Sequence, residues 1–331
     1  MLGKAHQRVG DLSLQRDGKL ADLDHAHRLS LHYPDIRNRA RHWRAALTDQ
    51  LRALLARHLP GYEVRSIVRL GEGWDNVVDE VNGELVVRQS KETDPAVRRT
   101  LTQREATLLV LLPEWSTLPV PQLRFADPEA GILAYRKLPG VPLNSRLVAE
   151  PERLAAALGE FLSRLNRAPP ARMAALVPTD AQPLPGWRQD AEDCYRQIAS
   201  QLSAAERRLV EAFLGQSLPP EPQRLAFCHN DLGAEHLLVD PATNVLTGVI
   251  DWSDAAIADP AYDPGLIYRD FGPEIFDLTL RHYDGPFAKA DRQRAIFYAR
   301  CALLEDIAYG ITTGERRYAD EGLAHFTRTF M

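Results

Sequence analysis

The chain has 331 residues, 45% of them hydrophobic and 26% charged, which is ordinary for a globular protein and gives enough chain for two lobes. Its 45 acidic residues against 40 Lys and Arg give a formal net charge of −5, which argues against a nucleic-acid partner. The three cysteines are odd in number and far apart, so a disulfide framework is not expected.

The N-terminal region divides into a polar stretch and a helix. Residues 1–35 are rich in His, Asp and Arg. Residues 35–58 carry an apolar stripe at helical spacing, formed by Trp43, Leu47, Leu51, Leu54 and Leu55. We expect this helix to pack on the lobe built from the strands that follow; a dimerisation helix is the alternative.

Strands are predicted next along the chain. The first covers residues 64–70 and turns into a second, and Asn82-Gly83 is a strong hairpin signal that leads into a third over residues 85–88. The turn between the first two contains Gly71, Gly73 and Asn76. Glycines let backbone amides approach phosphates, although Gly-rich turns without this function are common.

Apolar residues then recur mainly at helical spacing. Helices are predicted over residues 98–112, 150–166, 189–201, 204–215, 274–283 and 290–314. A strand over residues 132–138 interrupts them, and the Pro-rich residues 177–187 are typical of a loop.

The most informative stretch runs from His229 to Asp251. Asp231 lies on a short polar loop, His236 follows five residues later, and Asp251 follows an apolar strand. A turn at residues 240–244 predicts a hairpin that would return Asp251 to the neighbourhood of Asp231. A hydroxyl that attacks a terminal phosphate needs an acceptor for its proton, and the cation that neutralises the phosphates needs oxygen ligands. The order therefore predicts phosphoryl transfer, with Asp231 as the proton acceptor.

Two other interpretations of this stretch stay open. A His-x-Asp triplet on a loop is often only a turn or a cap. His229, Asp231 and His236 could instead form a transition-metal site, since imidazole and carboxylate suit zinc. No helical His-Glu-x-x-His or Cys-x-x-Cys pattern accompanies them.

The ordered motifs resemble the catalytic region of the protein-kinase-like superfamily. His229-Asn230-Asp231 and Ile250-Asp251-Trp252 make the chain most similar to the aminoglycoside and macrolide phosphotransferase family. This resemblance implies an α+β, two-lobed fold. It would comprise an N-terminal extension and helix over residues 1–60, a small antiparallel-sheet nucleotide-binding lobe over 61–138, and a larger, mainly helical catalytic and acceptor-binding lobe over 139–331.

The resemblance also implies roles in the nucleotide-binding lobe, where Gly71, Gly73 and Asn76 would lie against the phosphates. Arg88 stands where the family normally has Lys, and a guanidinium can fork onto phosphate oxygens. Glu105 matches the helical Glu that pairs with this base, so an Arg88–Glu105 ion pair is predicted; a solvated surface Glu is the alternative. The backbone of Tyr135, Arg136 and Lys137 is expected to meet the purine edge.

In the other lobe, the resemblance implies that His236 and Asp251 hold Mg²⁺ and that Asp263 braces the catalytic loop. Candidate acceptor-binding residues follow these motifs in the chain, namely Asp254, Glu305, Asp306 and Tyr309. A carboxylate on a late amphipathic helix is more often part of a solvated face, and Tyr309 could stack on a sugar or simply pack.

We therefore predict a small-molecule kinase that uses ATP or GTP with Mg²⁺ and phosphorylates a hydroxyl of an antibiotic-like, possibly cationic acceptor, with aminoglycosides favoured. A macrolide kinase, a choline-like metabolite kinase and a nucleotide-binding pseudokinase are the alternatives. Arg88 and His236 favour the last, because the superfamily usually has Lys and Asn there. With no export signal or long apolar run, we expect a cytoplasmic monomer or homodimer without nucleic-acid or membrane partners.

Overall fold

The computed structural model describes residues 49–72, 75–145, 148 and 150–331. The predicted N-terminal extension, most of the first predicted helix and the candidate Gly73 lie outside these residues. The described end of that helix, α1, is helical over residues 49–58.

The N-terminal part of the described chain is an antiparallel sheet. Its strands are β1 (Ile67–Glu72), β2 (Asn76–Val81), β3 (Leu85–Ser90), β4 (Gln122–Asp127) and β5 (Ile132–Arg136), in the spatial order β1-β2-β3-β5-β4. The β2–β3 hairpin forms at Asn82 and Gly83, whose φ angles of 56° and 74° suit Asn and Gly in a tight hairpin turn. The predicted hairpin is confirmed.

Helices cover both faces of this sheet. Leu51 and Leu55 of α1 are buried in one cluster with Val81, Leu85 and Val87 of the sheet, as expected for a helix packed on this lobe. Helix α2 (Pro95–Leu111) begins at Asp94, whose side chain accepts hydrogen bonds from two free amides of the first turn.

The remainder is mainly helical. The helices are α3 (Pro151–Leu165), α4 (Pro170–Met173), α5 (Leu184–Ile198), α6 (Ala204–Leu214), α7 (Tyr262–Arg281), α8 (Lys289–Thr313) and α9 (Arg316–Phe330). Helix α7 starts twelve residues before the predicted helix at Glu274, because it continues across a kink at Gly272. Helix α9 was not predicted. In the described part of the chain, no helix combines the length and apolar character that crossing a membrane requires.

Short strands place the central motif beside the helices. Strand β7 (Ala226–Cys228) pairs with β10 (Ala256–Ala258), while β8 (Leu237–Val239) pairs with β6 (Val141–Pro142) and with β9 (Leu246–Val249). The β8–β9 pair is the predicted hairpin. Its last residues return to its start, since the Ile250 amide donates to the His236 carbonyl over 2.9 Å.

Candidate active site

A catalytic loop, which we define as residues 229–236, joins β7 to β8. Its last three residues, Ala234–His236, form one turn of 3-10 helix. Asn230 has a φ of 64°, a left-handed conformation that Asn tolerates better than most residues. Asp251, at the end of the hairpin, has a φ of 60°. Both strained positions belong to the predicted motif, a common location for strain at functional sites.

Asp263 fixes the first residues of this loop. Its two carboxylate oxygens accept hydrogen bonds from the amides of His229 and Asn230, over 2.9 and 2.8 Å. The side chain is fully buried. These contacts agree with the bracing role that the resemblance implies.

Asp231 and His236 face each other across the loop. The His236 Nδ1 atom is 2.7 Å from the Asp231 carbonyl oxygen and 3.4 Å from Asp231 Oδ2. That Oδ2 atom is buried and has no hydrogen-bond partner among the described residues. Burial raises the pKa of the Asp231 carboxyl, and His236 opposes the rise. Burial alone lowers the pKa of His236, but Asp231 and Glu235 outweigh it and raise that pKa to about 9.

The geometry of His236 and Asp251 fits a divalent cation that also binds phosphates. Nδ1 of His236 donates to the Asp231 carbonyl oxygen, so Nε2 is the atom that would bind a metal ion, in exchange for the proton that the raised pKa of His236 favours. This Nε2 atom lies 3.9 Å from Asp251 Oδ2. Burial raises the pKa of Asp251, but Arg88 and His236 outweigh it and lower the pKa, which keeps the carboxylate ionised. Mg²⁺ is commonly held by one or two protein ligands together with substrate phosphates.

The rival transition-metal site does not form. His229 points its Nε2 atom at the Ile250 carbonyl oxygen, 3.0 Å away, and its ring packs 4.6 Å from the Trp252 ring. Burial lowers the pKa of His229 to about 3, so the ring is neutral and donates this bond. Among the residues that the structure describes, no three His, Cys, Asp or Glu side chains are arranged to hold a metal ion.

Arg88 connects the sheet to this loop. Its guanidinium is buried, forms an ion pair with Glu105 of α2, and lies 3.7 Å from Asp251 Oδ1. Burial alone lowers the pKa of Arg88, but Glu105 and Asp251 raise it, so the side chain stays charged. The Arg88–Glu105 contact has the geometry that the sequence predicts, and it aims a cation at the Asp251 end of the site.

The other candidates of the nucleotide-binding lobe lie along the sheet. Gly71 lies near the end of β1, where an added Cβ would meet no atom within 4 Å, and Asn76 opens β2. Tyr135 and Arg136 end β5, each paired with both neighbouring strands. The Lys137 amide donates to the Glu84 carbonyl over 2.8 Å, and its side chain pairs with Glu80. This amide is therefore engaged within the sheet.

Asp231 also lines a cleft. Three acceptor candidates, Asp254, Glu305 and Asp306, line it together with Asp231. Tyr309 is not among its lining residues and packs edge-on against Tyr318, with ring centroids 5.0 Å apart.

Sequence reasoning missed a cation in the wall of this cleft. Arg269 also lines it, with Nη1 2.8 Å from Asp306 Oδ2. Burial raises the pKa of Asp306 to about 7, and Arg269 opposes the rise. Nothing in the helical pattern around Arg269 marks it as buried, because its partners lie far away in the chain.

Comparison with known proteins gives a family match over this region. The model of the Phosphotransferase enzyme family matches residues 66–298, more than half of the chain. Viomycin phosphotransferase of Streptomyces vinaceus is 26% identical over 158 residues, which cover 46% of this chain and 54% of that protein. Aminoglycoside 3′-phosphotransferase of Streptomyces fradiae is 29% identical over 213 residues, covering 55% and 71%. The chain thus spans about half the length of the first relative and more of the second.

Solved structures share the fold. The GDP and kanamycin complex of APH(2″)-IIIa matches with a TM-score of 0.66 and 22% identity, covering 85% of this chain and 98% of that chain. Macrolide 2′-phosphotransferase MphH from Brachybacterium faecium matches with a TM-score of 0.59 and 24% identity, covering 84% and 98%. The predicted α+β kinase-like fold, with an antiparallel sheet followed by a helical part, is confirmed.

Proposed function

Because the chain belongs to the phosphotransferase enzyme family, we propose that it is a small-molecule kinase. It transfers the terminal phosphate of ATP or GTP to a hydroxyl of a cationic, antibiotic-like acceptor, with aminoglycosides favoured. One observation carries this proposal. Asp231 contacts His236 of the His236–Asp251 pair and also lines a cleft rich in carboxylates.

The proposed step needs little covalent chemistry from the protein. The acceptor hydroxyl binds in the cleft, and Asp231 accepts its proton as the oxygen attacks the terminal phosphorus. A bond from the acceptor oxygen to phosphorus forms, and the bond to the nucleoside diphosphate breaks. Asp231 suits this role because it lines the cleft and its Oδ2 atom has no hydrogen-bond partner among the described residues.

The negative charge of the phosphates would be neutralised by an arginine side chain and by a bound cation. Arg88, held by Glu105, provides a fixed guanidinium that can bind phosphate oxygens. His236 and Asp251 would hold Mg²⁺, which neutralises the phosphate chain when it is bound. An imidazole is a less usual Mg²⁺ ligand than an amide oxygen, so His236 distinguishes this site from the common pattern.

The charge of the cleft supports a cationic acceptor. Four carboxylate side chains and one guanidinium line it, giving an excess of negative charge. Low-dielectric walls lined by one sign of charge focus the field and attract ligands of the opposite sign. The names of two relatives, a viomycin and an aminoglycoside phosphotransferase, are consistent with this class of acceptor. A macrolide kinase would need a more apolar cleft.

The pseudokinase alternative rested on Arg88 and His236. The geometry weighs against it, because Arg88 makes the ion pair with Glu105 and reaches towards Asp251. A nucleotide-binding assay cannot separate a kinase from a pseudokinase, since both would bind nucleotide. A turnover assay can separate them, because only a kinase would transfer the phosphate.

The test is Mg²⁺-dependent release of nucleoside diphosphate from ATP and from GTP, across aminoglycosides, macrolides and small amino alcohols. We expect stimulation by an aminoglycoside. Asp231→Asn should lower turnover by at least about 100-fold, the lower range for loss of a general base, with unchanged nucleotide affinity. Asp240→Asn is the matched control, because it makes the same change at an aspartate of the turn between β8 and β9, which does not line the cleft. Full turnover by Asp231→Asn would refute the proposal.

A further inference from the structure

All three nitrogen atoms of the Arg269 guanidinium contact carboxylate groups. Its Nε and Nη2 atoms donate to the two oxygens of Asp270, over 2.6 and 3.0 Å. Its Nη1 atom is 2.8 Å from Asp306 Oδ2 on helix α8. The residue is only 7% exposed, and its neighbours Asp270 and Asp306 are also largely enclosed. A guanidinium group that is bound by two carboxylates has little freedom to rotate.

This group touches the catalytic loop directly. Asp270 Oδ2 accepts a hydrogen bond from the Ala234 amide over 2.7 Å. A Cβ added to Gly233 would lie 2.9 Å from Arg269 Nη2, so the guanidinium packs against the bare backbone of the loop. The Arg269–Asp270 pair therefore contacts the loop at Gly233 and Ala234, two and three residues after Asp231.

The kink of helix α7 explains how the pair is secured. Gly272 has a φ of 83°, and Pro273 has no amide hydrogen, so the carbonyls of Arg269 and Asp270 lose their usual helical donors. The C-terminal helix replaces these donors. The Arg328 guanidinium donates to the Asp270 carbonyl, and the Thr329 hydroxyl is shared between the His325 carbonyl, 3.0 Å away, and the Arg269 carbonyl, 3.4 Å away.

We propose that Arg269 and Asp270 are positioning residues that hold the catalytic loop, and that Asp306 belongs to their ion network rather than to the acceptor-binding surface. This inference rests on the proposed function of the same site. It changes the expected role of one predicted acceptor residue. Asp306 would act on the loop through Arg269, while Asp254 and Glu305 would remain the acidic contacts for the acceptor.

The first experiment compares Arg269→Lys with Arg294→Lys. Arg294 is a matched control, because it is 3% exposed and also forks onto one carboxylate, Asp259, over 2.6 and 3.3 Å. Its guanidinium also contacts a second carboxylate, that of Asp291. Both variants keep the charge and lose the fork. We expect similar losses of thermal stability, but a fall in kcat of about 10- to 100-fold for Arg269→Lys alone, the size expected when a catalytic group is misplaced by about 1 Å. The KM for nucleotide should stay within about threefold, since uniform binding is untouched.

The second experiment uses Gly233→Ala. Gly233 has a φ of −81°, which alanine adopts freely, so we expect the loss to come from the contacts of the added Cβ with Arg269 Nη2 and Asp270 Oδ2. We expect a fall in kcat of about tenfold, which corresponds to 1.36 kcal/mol of transition-state free energy. In the double variant Gly233→Ala/Arg269→Gln, the two effects should be less than additive, because the clashing atom is gone.

A third measurement does not need turnover, so failure of the proposed function and failure of this inference can be told apart. Hydrogen–deuterium exchange of a peptide spanning residues 229–236 should be faster in Arg269→Lys than in Arg294→Lys. Absence of wild-type turnover across the acceptor panel, with faster exchange, would contradict only the function. Equal exchange in the two variants, or equal kcat, would overturn the positioning role.

Discussion

The buried carboxylate of Asp263 offers the most direct test of how the site is built. Asp263→Asn keeps one acceptor oxygen but turns the other into an amide that faces a backbone N–H group. One of the bonds to His229 and Asn230, now 2.9 and 2.8 Å long, is then replaced by two opposed donors. Bonds to a charged acceptor contribute about 1.5–3 kcal/mol each, so we expect a loss of about 3 kcal/mol in the free energy of unfolding.

Turnover should fall as well, and for a separate reason. Asn230 holds a left-handed φ of 64° directly before Asp231, and Asp263 helps to fix this conformation. Release of the Asn230 amide would let the backbone relax and move Asp231. The assays are urea unfolding followed by fluorescence, and kcat measured under conditions where the variant is folded.

Asp240→Asn is the control for this change. Asp240 also accepts two backbone amides, those of Ala242 and Thr243, but both bonds converge on Oδ1, which Asn retains. Its unfolding curve and turnover should match the wild type. If Asp263→Asn unfolded at the same urea concentration as Asp240→Asn, the account of the brace would be wrong.

Two further changes test the nucleotide-binding lobe. Glu105→Gln leaves the buried Arg88 without its main carboxylate, which should lower the free energy of unfolding by about 3 kcal/mol. Glu114→Gln removes one partner of an exposed ion pair and should lower it little. Equal losses of unfolding free energy in the two variants would contradict this expectation. Burial raises the pKa of Asp127, but His58 and a backbone amide outweigh it and lower the pKa. The stabilisation from this carboxylate is therefore complete above its unfolded pKa, near 4, and is lost as pH falls through the lower folded value. The stability gap between the wild type and Asp127→Asn should thus narrow between about pH 5 and pH 2; a constant gap would exclude this linkage.

The local parts of the site were predictable because short connections bring them together. A hairpin of about a dozen residues returns Asp251 to Asp231, and its turn residues are visible in the sequence. The Arg88–Glu105 pair was predictable only through the resemblance, since it joins a strand to a helix. Gly73 lies outside the described residues, so its role stays a prediction.

The Arg269 network could not be predicted in the same way. A single Arg in a helical run is normally solvated, and burial of Arg269 depends on Asp306, which follows 37 residues later. The Gly272-Pro273 pair was a usable signal, and it stands directly before the helix that was predicted from Glu274. In the structure it is a kink inside α7 that exposes two carbonyls to the C-terminal helix. The packing of Tyr309 was not predictable for the same reason, because its ring contacts Tyr318 on helix α9, which the sequence did not predict.

The two loop-bracing aspartates share one helix, and their spacing explains the order of the catalytic loop. Asp263 and Asp270 are seven residues apart, close to two turns of α7, so both side chains project from the same face. One binds the amides at the start of the loop, and the other binds the Ala234 amide near its end. Asp231 lies between the two attachment points. A rigid helix therefore sets its position, and the kink at Gly272 comes directly after the second attachment, where α7 can bend without moving either one.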